Sequence, residues 1–290
     1  MELNEGKACD AILRHIEVRE GALRSHIKCL DGAPPNAQVE LVCTIGSRRY
    51  AIEHTGIVPF DQFIKFNNNR NDWSELINKE LAADLPEGDA YRLIIPYNVD
   101  FAKTDRKAPH IRKSLIAWIK SFALTLPRHS ASELMEFANP ITIPNVPFPV
   151  KLIRLAKHSG HDNSQRLQII RAVDEEGKTQ LTQSITKACD RKFNKLHWWK
   201  NERQAKTILL LENPDIQISN SSDIAASFLS IAKDRSNRPD ETYLIDTFDN
   251  AIWYLWPLLI NEQSYFELGR ERHPLCWTTD ANSLEPVTGR

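Results

Sequence analysis

The sequence lacks an uninterrupted apolar run of about 18 residues, the length that a membrane-spanning helix needs. Its most apolar segment, AIWYLWPLLI, has ten residues and is typical of a buried strand. The motifs GxxxxGK[ST], GxGxxG, HExxH and GxSxG are absent, which argues against a phosphate-binding loop, a zincin site and a nucleophile elbow. The five cysteines are scattered without a CxxC pair. Neither a disulfide framework nor a structural zinc site is therefore expected, and a reducing cytoplasm is the expected compartment.

The chain also has almost no net charge, with 37 Lys and Arg against 38 Asp and Glu in 290 residues. Overall basicity therefore does not indicate nucleic acid, although a local basic face is compatible with a neutral total. The first ten residues, MELNEGKACD, are charged and have no apolar stretch, so neither a secretory signal nor a membrane partner is expected. The hydrophobic content of 41% is ordinary for a globular protein.

In the first half of the chain, the sequence pattern predicts helices and strands that alternate. Apolar positions recur at helical spacing from about residue 7 to residue 30, which predicts one long N-terminal helix. The prolines of DGAPPN end it. The segment that starts at DQFIKF is predicted to be helical only at its end, with a loop at NNNRND. YRLIIPY predicts a strand, and APHIRKSLIAWIKSFALTL predicts an amphipathic helix with Pro109 in its first turn.

In the second half, VKLIRLAK and RLQIIRAV alternate and predict a second hairpin. A helix from about Thr179 to Trp199, the strand TILLLE, a helix around Ser222 to Lys233 and the strands TYLIDT and AIWYLWPL follow. This alternation predicts an α/β fold with a mixed central β-sheet flanked by helices. Because no Pro-, Gly- or Ser-rich linker is visible, we expect a single domain over residues 1–290, with a C-terminal strand–helix–strand extension.

The segment VELVCTIGSRRYAIEHTGI predicts two strands around a Gly-Ser turn, and each strand carries one glutamate among apolar neighbours. Successive side chains of a strand face opposite sides, so Glu53 and Thr55 share a face and His54 points away from them. If IGSR forms the turn, Glu40 becomes a cross-strand neighbour of Glu53. The hairpin therefore predicts two carboxylates close together.

Two crowded carboxylates in partly buried surroundings repel each other unless a cation neutralises them. Mg²⁺ suits such a site because it prefers oxygen ligands and uses one or two carboxylates. The alternative is that Glu40 and Glu53 are solvated or pair with Arg48 and Arg49. His54 is expected to be packed or hydrogen-bonded rather than a ligand.

The order of the predicted elements resembles the PD-(D/E)xK, or restriction-endonuclease-like, superfamily. These elements are a helix, a strand that carries an acid, a hairpin turn and an apolar strand that ends in IEHT. In that superfamily an acid on one strand and E-x-K on the next bind a divalent metal for phosphodiester cleavage. The resemblance implies that Glu40 is the first acid and Glu53 the acid of E-x-K, while Thr55 stands where the lysine belongs. It also implies that Glu17 or Glu20 in the opening helix is an additional metal-side glutamate.

Because Thr55 stands where the lysine belongs, another part of the chain would have to supply a basic residue. The segment TKACDRKFNKLHWWKNERQAK has seven Lys and Arg against two acids. Lys192 and Lys195 are three residues apart and share a face of the predicted helix. In the superfamily, the helix behind the catalytic strands precedes the next core strand, as this helix precedes TILLLE. Lys192 or Lys195 is therefore expected to reach the site and to stabilise the developing charge. The alternative is a solvated basic face.

Two other groups of polar residues have weaker signals. His158, His161 and Asp162 are able to bind metal by residue type but belong to the predicted loop HSGHDNSQ. Four acids follow strands near their ends, where turn chemistry also accounts for them: Glu212, Asp215, Asp246 and Asp249.

The resemblance implies a nuclease that cleaves DNA with Mg²⁺, for which Mn²⁺ substitutes, in restriction or phage defence. Its expected partner is nucleic acid, with DNA ahead of RNA; a homo-oligomer or a partner subunit remains open. The alternative is a catalytically inactive scaffold or binding subunit that keeps the nuclease fold within a larger nucleic-acid-associated assembly. Thr55 in place of lysine and the near-neutral charge favour that alternative.

Overall fold

The computed structural model describes residues 4–28, 34–60, 63–81, 83–86, 88–100, 106–129, 139–156, 167–215, 219–261, 263–265 and 276–287. The contacts between residues divide the chain into two compact units, residues 61–177 and residues 2–60 with 178–290. The single domain expected over residues 1–290 stays a prediction.

The helices are α1 (Glu5–Glu20), α2 (Phe63–Leu81), α3 (Ala108–Phe122), α4 (Glu175–Arg203) and α5 (Ser221–Ala232). The strands are β1 (Arg24–Lys28), β2 (Leu41–Ile45), β3 (Arg48–Gly56), β4 (Asp89–Pro96), β5 (Arg128–His129), β6 (Lys151–Ala156), β7 (Leu167–Ala172), β8 (Lys206–Asn213), β9 (Glu241–Asp246), β10 (Ile252–Ile260), β11 (Gln263–Ser264) and β12 (Trp277–Asp280). Short 3₁₀ turns cover Pro35–Ala37 and Ala123–Thr125.

The larger unit, residues 2–60 and 178–290, contains an eight-stranded mixed sheet with the order β1-β2-β3-β8-β9-β10-β11, and β12 pairs with β10. The pairs β3–β8 and β8–β9 are parallel, whereas β1–β2, β2–β3 and β9–β10 are antiparallel. The hairpin of β2 and β3 is thereby joined to β8 through parallel pairing. The predicted α/β fold with a mixed central sheet flanked by helices is confirmed.

The two faces of this sheet are covered by different helices. On one face, α1 packs against strand residues that include Tyr50 and Ile52. On the other face, α4 and α5 pack against residues that include Ala51. The buried side chains of α4 recur at helical spacing: Leu181, Ile185, Cys189, Phe193, Leu196 and Trp199. Because α4 is apolar along this stripe, the residues that flank the stripe are held close to the sheet.

The smaller unit, residues 61–177, has a four-stranded sheet with the order β5-β6-β4-β7. Helices α2 and α3 contribute to its core through Trp73, Ile77, Leu115 and Ile119. The predicted hairpin of β6 and β7 is wrong, because β4 lies between them and pairs antiparallel with β6 and parallel with β7. Alternation identified both strands but carries no information about which strand pairs with which.

Two predicted boundaries are also wrong. The N-terminal helix ends at Glu20, since Gly21 adopts a left-handed conformation with φ 63° that ends helices readily. The chain then forms β1, and Leu23 and Ile27, which had extended the helical pattern, are exposed. The segment NNNRND is not a loop but part of α2. The predicted strands YRLIIPY, TILLLE, TYLIDT and AIWYLWPL and the helices α3, α4 and α5 are confirmed.

We expect Phe193→Ala to destabilise the larger unit, because Phe193 is fully buried between α4 and the sheet and contacts Phe228 edge to face. Loss of the ring should lower the free energy of unfolding by about 3–5 kcal/mol in urea denaturation. Val18→Ala is the matched control, since Val18 is 83% exposed and its truncation should change stability by less than about 0.5 kcal/mol. A Phe193→Ala protein as stable as the control would contradict this assignment of the core.

Candidate active site

The hairpin of β2 and β3 places the two predicted acids opposite each other. Its turn is Gly46-Ser47, and Gly46 has φ 60°, a conformation that glycine supplies without steric cost. The register pairs Leu41 with Ile52, so one step further along the same ladder Glu40 faces Glu53. The cross-strand proximity expected from the sequence therefore follows directly from the length of this turn.

Helix α4 supplies two lysines to these acids. The Lys192 ammonium lies 2.7 Å from Glu40 Oε1 and also contacts Glu53 Oε2. The Lys195 ammonium lies 3.0 Å from Glu53 Oε1. The structure thus brings Glu40, Glu53, Lys192 and Lys195 into one group, the acid–lysine cluster. From the sequence we expected Lys192 or Lys195 to reach the acids, and both lysines contact Glu53.

Two hydrogen bonds that fix α4 explain why these lysines lie within contact of the acids. Trp199 is buried and donates a hydrogen bond from Nε1 to Ala37 O at 2.7 Å, so the helix is fixed to the segment that leads into β2. Ser184 Oγ donates to Val58 O at 2.6 Å, which fixes an earlier turn of α4 to the chain after β3. Lys192 and Lys195 lie between these two anchors and are therefore held over the hairpin.

The two carboxyls differ in exposure and in pKa. Glu53 is completely buried, and burial raises its pKa although Lys192 and Lys195 favour its charged form. Burial also acts on Glu40, but the hydrogen bond and charge of Lys192 outweigh it and hold the pKa of Glu40 below its ordinary value. The Glu40 side chain keeps 28% of its surface exposed. The acid–lysine cluster is therefore dry around Glu53 and open to solvent around Glu40.

Thr55 shares the Glu53 face by strand alternation and lies beside Leu211 of β8 in the register. It stands two residues beyond Glu53 and carries no positive charge, so the lysines of the cluster come from α4 alone. The expected roles of Glu40, Glu53, Thr55, Lys192 and Lys195 in catalysis stay predictions.

The acids expected from the opening helix lie elsewhere. Glu20 accepts hydrogen bonds from Arg19 and interacts with Tyr50 on the α1 face of the sheet. Glu17 accepts from the backbone N–H of Arg24 at 2.7 Å. The structure therefore brings neither residue into the acid–lysine cluster, because the carboxyl-terminal end of α1 is directed away from Glu40.

Glu5, at the start of α1, is the helix acid that reaches the cluster. Its carboxyl lies close enough to that of Glu40 to influence the pKa of Glu40. Sequence reasoning missed Glu5 because the direction in which α1 crosses the sheet decides which of its acids approaches β2. Its position in the first helical turn is the only signal that the sequence contains.

His54 belongs to a separate polar group on the α1 face. Its Nε2 lies 2.9 Å from Glu212 Oε2, while Glu212 also accepts from Thr247 Oγ1 at 2.7 Å and from the backbone N–H of Asn4. Burial raises the pKa of Glu212, but its hydrogen bonds to His54, Thr247 and Asn4 outweigh burial and lower that pKa overall. This network satisfies Glu212 internally, as the strand parity of His54 had predicted.

The other acids at strand ends are also engaged locally. Asp246 accepts from Ser221 Oγ, Asn213 Nδ2 and Trp256 Nε1. Asp249 accepts from the backbone N–H groups of two residues that follow it, which is turn chemistry. His158, His161 and Asp162 lie outside the described residues.

The acid–lysine cluster also fits a divalent cation by its chemistry. Its acids offer only oxygen atoms, and Glu53 Oε2 is buried without a hydrogen bond from the described part of the chain. That oxygen is in ionic contact with the Lys192 ammonium, so a positive charge already lies at the place that a divalent ion would take. Glu40 and Glu53 would hold the ion, with water completing the shell as Mg²⁺ requires. Among the residues described, no group of three or more His, Cys, Asp or Glu is already arranged as a metal site.

Comparison with protein-family models, with curated proteins and with solved structures finds no match for this chain. None of the helices in the described ranges is both long and apolar enough to cross a membrane.

We expect the contribution of Glu212 to stability to depend on pH. Because its pKa is lowered in the folded state, ionised Glu212 stabilises the protein above its unfolded pKa of about 4.3, and this contribution is lost as the pH falls through the folded value. The free energy of unfolding of the native protein minus that of Glu212→Gln should therefore shrink below about pH 4. A constant difference for Glu212→Gln would contradict the network.

We expect the buried contact between Glu53 and Lys192 to be strongly non-additive. Glu53→Met or Lys192→Met alone should cost up to about 3–5 kcal/mol, because each removes one of the two opposite charges that a buried charge contacts. The double variant should lose less than the sum of the two single losses, since both buried charges are removed together. Urea denaturation of the four proteins measures the coupling, and strictly additive losses would contradict the contact.

Proposed function

We propose that this protein is a divalent-metal-dependent nuclease that cleaves DNA phosphodiester bonds and that its larger unit has a restriction-endonuclease-like core. The observation that carries the proposal is the convergence of Glu40 and Glu53 on one ammonium group. Within the larger unit, the order of elements supports it as well: α1, three antiparallel strands, then, after the residues of the smaller unit, α4 and the parallel strand β8. In this proposal Glu53 of β3 takes the role of the E-x-K acid of the superfamily that the sequence resembles.

In this proposal Glu40 and Glu53 hold the metal. The bound ion supplies a water of lowered pKa and neutralises negative charge on the phosphate. The burial of Glu53 keeps its carboxylate in a low-dielectric environment, where its attraction for a cation is stronger than in water.

Lys195 stands in for the lysine that Thr55 replaces. Its side chain is 22% exposed while its ammonium contacts Glu53 Oε1, so it lies at the rim of the cluster rather than inside it. A lysine in this position reaches both the metal-binding acid and a phosphate that approaches from solvent, and it stabilises the charge that develops on the phosphate in the transition state.

A second function, a binding subunit without catalysis, is favoured by one observation. Lys192 and Lys195 already neutralise Glu40 and Glu53, so the cluster is electrostatically complete as an internal ion network. Such networks also occur for structural reasons. In that case the lysines remain in place when divalent ions are added, and nucleic acid is bound without being cut.

We expect the purified protein to cleave DNA in the presence of Mg²⁺ or Mn²⁺ and not in EDTA. Glu53→Gln should abolish cleavage, because it removes the charge that holds the ion. Lys195→Met should reduce the rate by at least about 100-fold, the loss typical when one transition-state donor is removed. The assay follows cleavage of single-stranded and double-stranded DNA and RNA by gel electrophoresis.

Two controls make the assay specific to the cluster. Lys187→Met and Glu202→Gln change exposed residues of the same helix and should retain the native rate. A folded protein that leaves every substrate uncut with either ion would contradict the nuclease and favour the binding subunit. Cleavage that survives Glu53→Gln would instead locate the activity elsewhere or in a contaminant.

A further inference from the structure

Lys192 occupies an unusual position for a lysine. It is 3% exposed, and lysines are almost never fully buried unless an acid pairs with them. Its ammonium lies where the carboxylates of Glu40 and Glu53 converge. A single positive charge therefore stands at the point that both acids share.

The contacts of this ammonium are unequal. Lys192 donates a hydrogen bond to Glu40 Oε1 at 2.7 Å. Against Glu53 Oε2 it makes an ionic contact without hydrogen-bond geometry, and that oxygen accepts no hydrogen bond from any described residue. The ammonium thus holds the two carboxylates together through one hydrogen bond and one ionic contact. A divalent ion that coordinates both carboxylates directly would take the same position.

The neighbouring lysine is held differently. Among the described residues, Lys195 makes an ion pair with Glu53 Oε1 and not with Glu40, and its side chain is several times more exposed than that of Lys192. If Lys192 leaves, Lys195 still neutralises part of the Glu53 charge. Glu40 is 28% exposed, so the cluster opens to solvent on the Glu40 side, and the four-carbon stem of Lys192 is flexible enough to leave the acids.

We infer that the Lys192 ammonium is an internal stand-in for the divalent cation, so that metal binding at Glu40 and Glu53 requires its displacement. The inference rests on the metal site of the proposed function. Lys192 keeps the two acids together when no metal is bound and weakens metal binding by competition. Exchange of this ammonium for a divalent ion leaves the two acids and Lys195 with one net positive charge, which suits a phosphodiester anion.

The test is the affinity for Mn²⁺, measured by calorimetry on the full chain without nucleic acid. Lys192→Met removes the competing charge while keeping a side chain of similar length. We expect it to bind Mn²⁺ at least about tenfold more tightly than the native protein does. Lys195→Met is the matched control and should change the affinity less, because Lys195 contacts one acid only. Lys192→Met with Glu53→Gln should bind no Mn²⁺ at the cluster.

Thermal unfolding gives a second measurement that also works when the metal-free variant is less stable than the native protein. Mn²⁺ should raise the unfolding temperature of Lys192→Met by more than it raises that of the native protein, because the ion replaces the missing counter-charge. Lys192→Gln provides the same comparison with a polar side chain. Equal or weaker Mn²⁺ binding by both variants, or an equal or smaller thermal shift in both, overturns the inference. A Lys192→Met chain that stays unfolded with Mn²⁺ counts against it as well.

The outcomes separate this inference from the proposed nuclease. If the native protein cuts no nucleic acid but Lys192→Met binds Mn²⁺ more tightly, the result contradicts the proposed nuclease and supports displacement of Lys192. If the native protein cuts DNA but Mn²⁺ binding by Lys192→Met is unchanged, the result supports the proposed nuclease and contradicts displacement of Lys192.

Discussion

The buried carboxylate of Glu53 is the constraint on which the candidate site depends. It is completely inaccessible to solvent, yet it lies within contact of two lysines and opposite a second glutamate. A buried ion pair adds little to stability compared with apolar residues of the same size. The larger unit therefore keeps Glu53 and its charged neighbours together at a net cost in stability, and charged groups with shifted pKa values often mark functional sites.

Three features of the fold produce this arrangement. The Gly46-Ser47 turn sets the register that places Glu40 opposite Glu53. Parallel pairing of β3 with β8 requires a crossover, and α4 supplies it on the face to which Glu53 points. The hydrogen bond from Trp199 to Ala37 then fixes α4 against the hairpin. The site is thus specified by one turn, one crossover helix and one anchor.

The sequence predicts the parts of this site that local rules determine. Strand alternation separated Glu53 from His54, and helical spacing placed Lys192 and Lys195 on one face; both follow from the geometry of single elements. The sequence did not predict which acid of α1 lies beside Glu40. Glu5 and Glu20 are equally acidic, and only the direction of α1 distinguishes them. The positions of β6 and β7 on either side of β4 and the end of α1 at Gly21 also depend on tertiary pairing, which periodicity does not contain.

The most direct measurement of the central claim is anomalous diffraction from crystals of the native protein soaked in Mn²⁺. The account predicts one strong peak coordinated by carboxylate oxygens of Glu40 and Glu53, with the Lys192 ammonium moved out of contact with both acids. Crystals that show no peak at the acid–lysine cluster, with Lys192 still bound to Glu40 and Glu53 at saturating Mn²⁺, would contradict it.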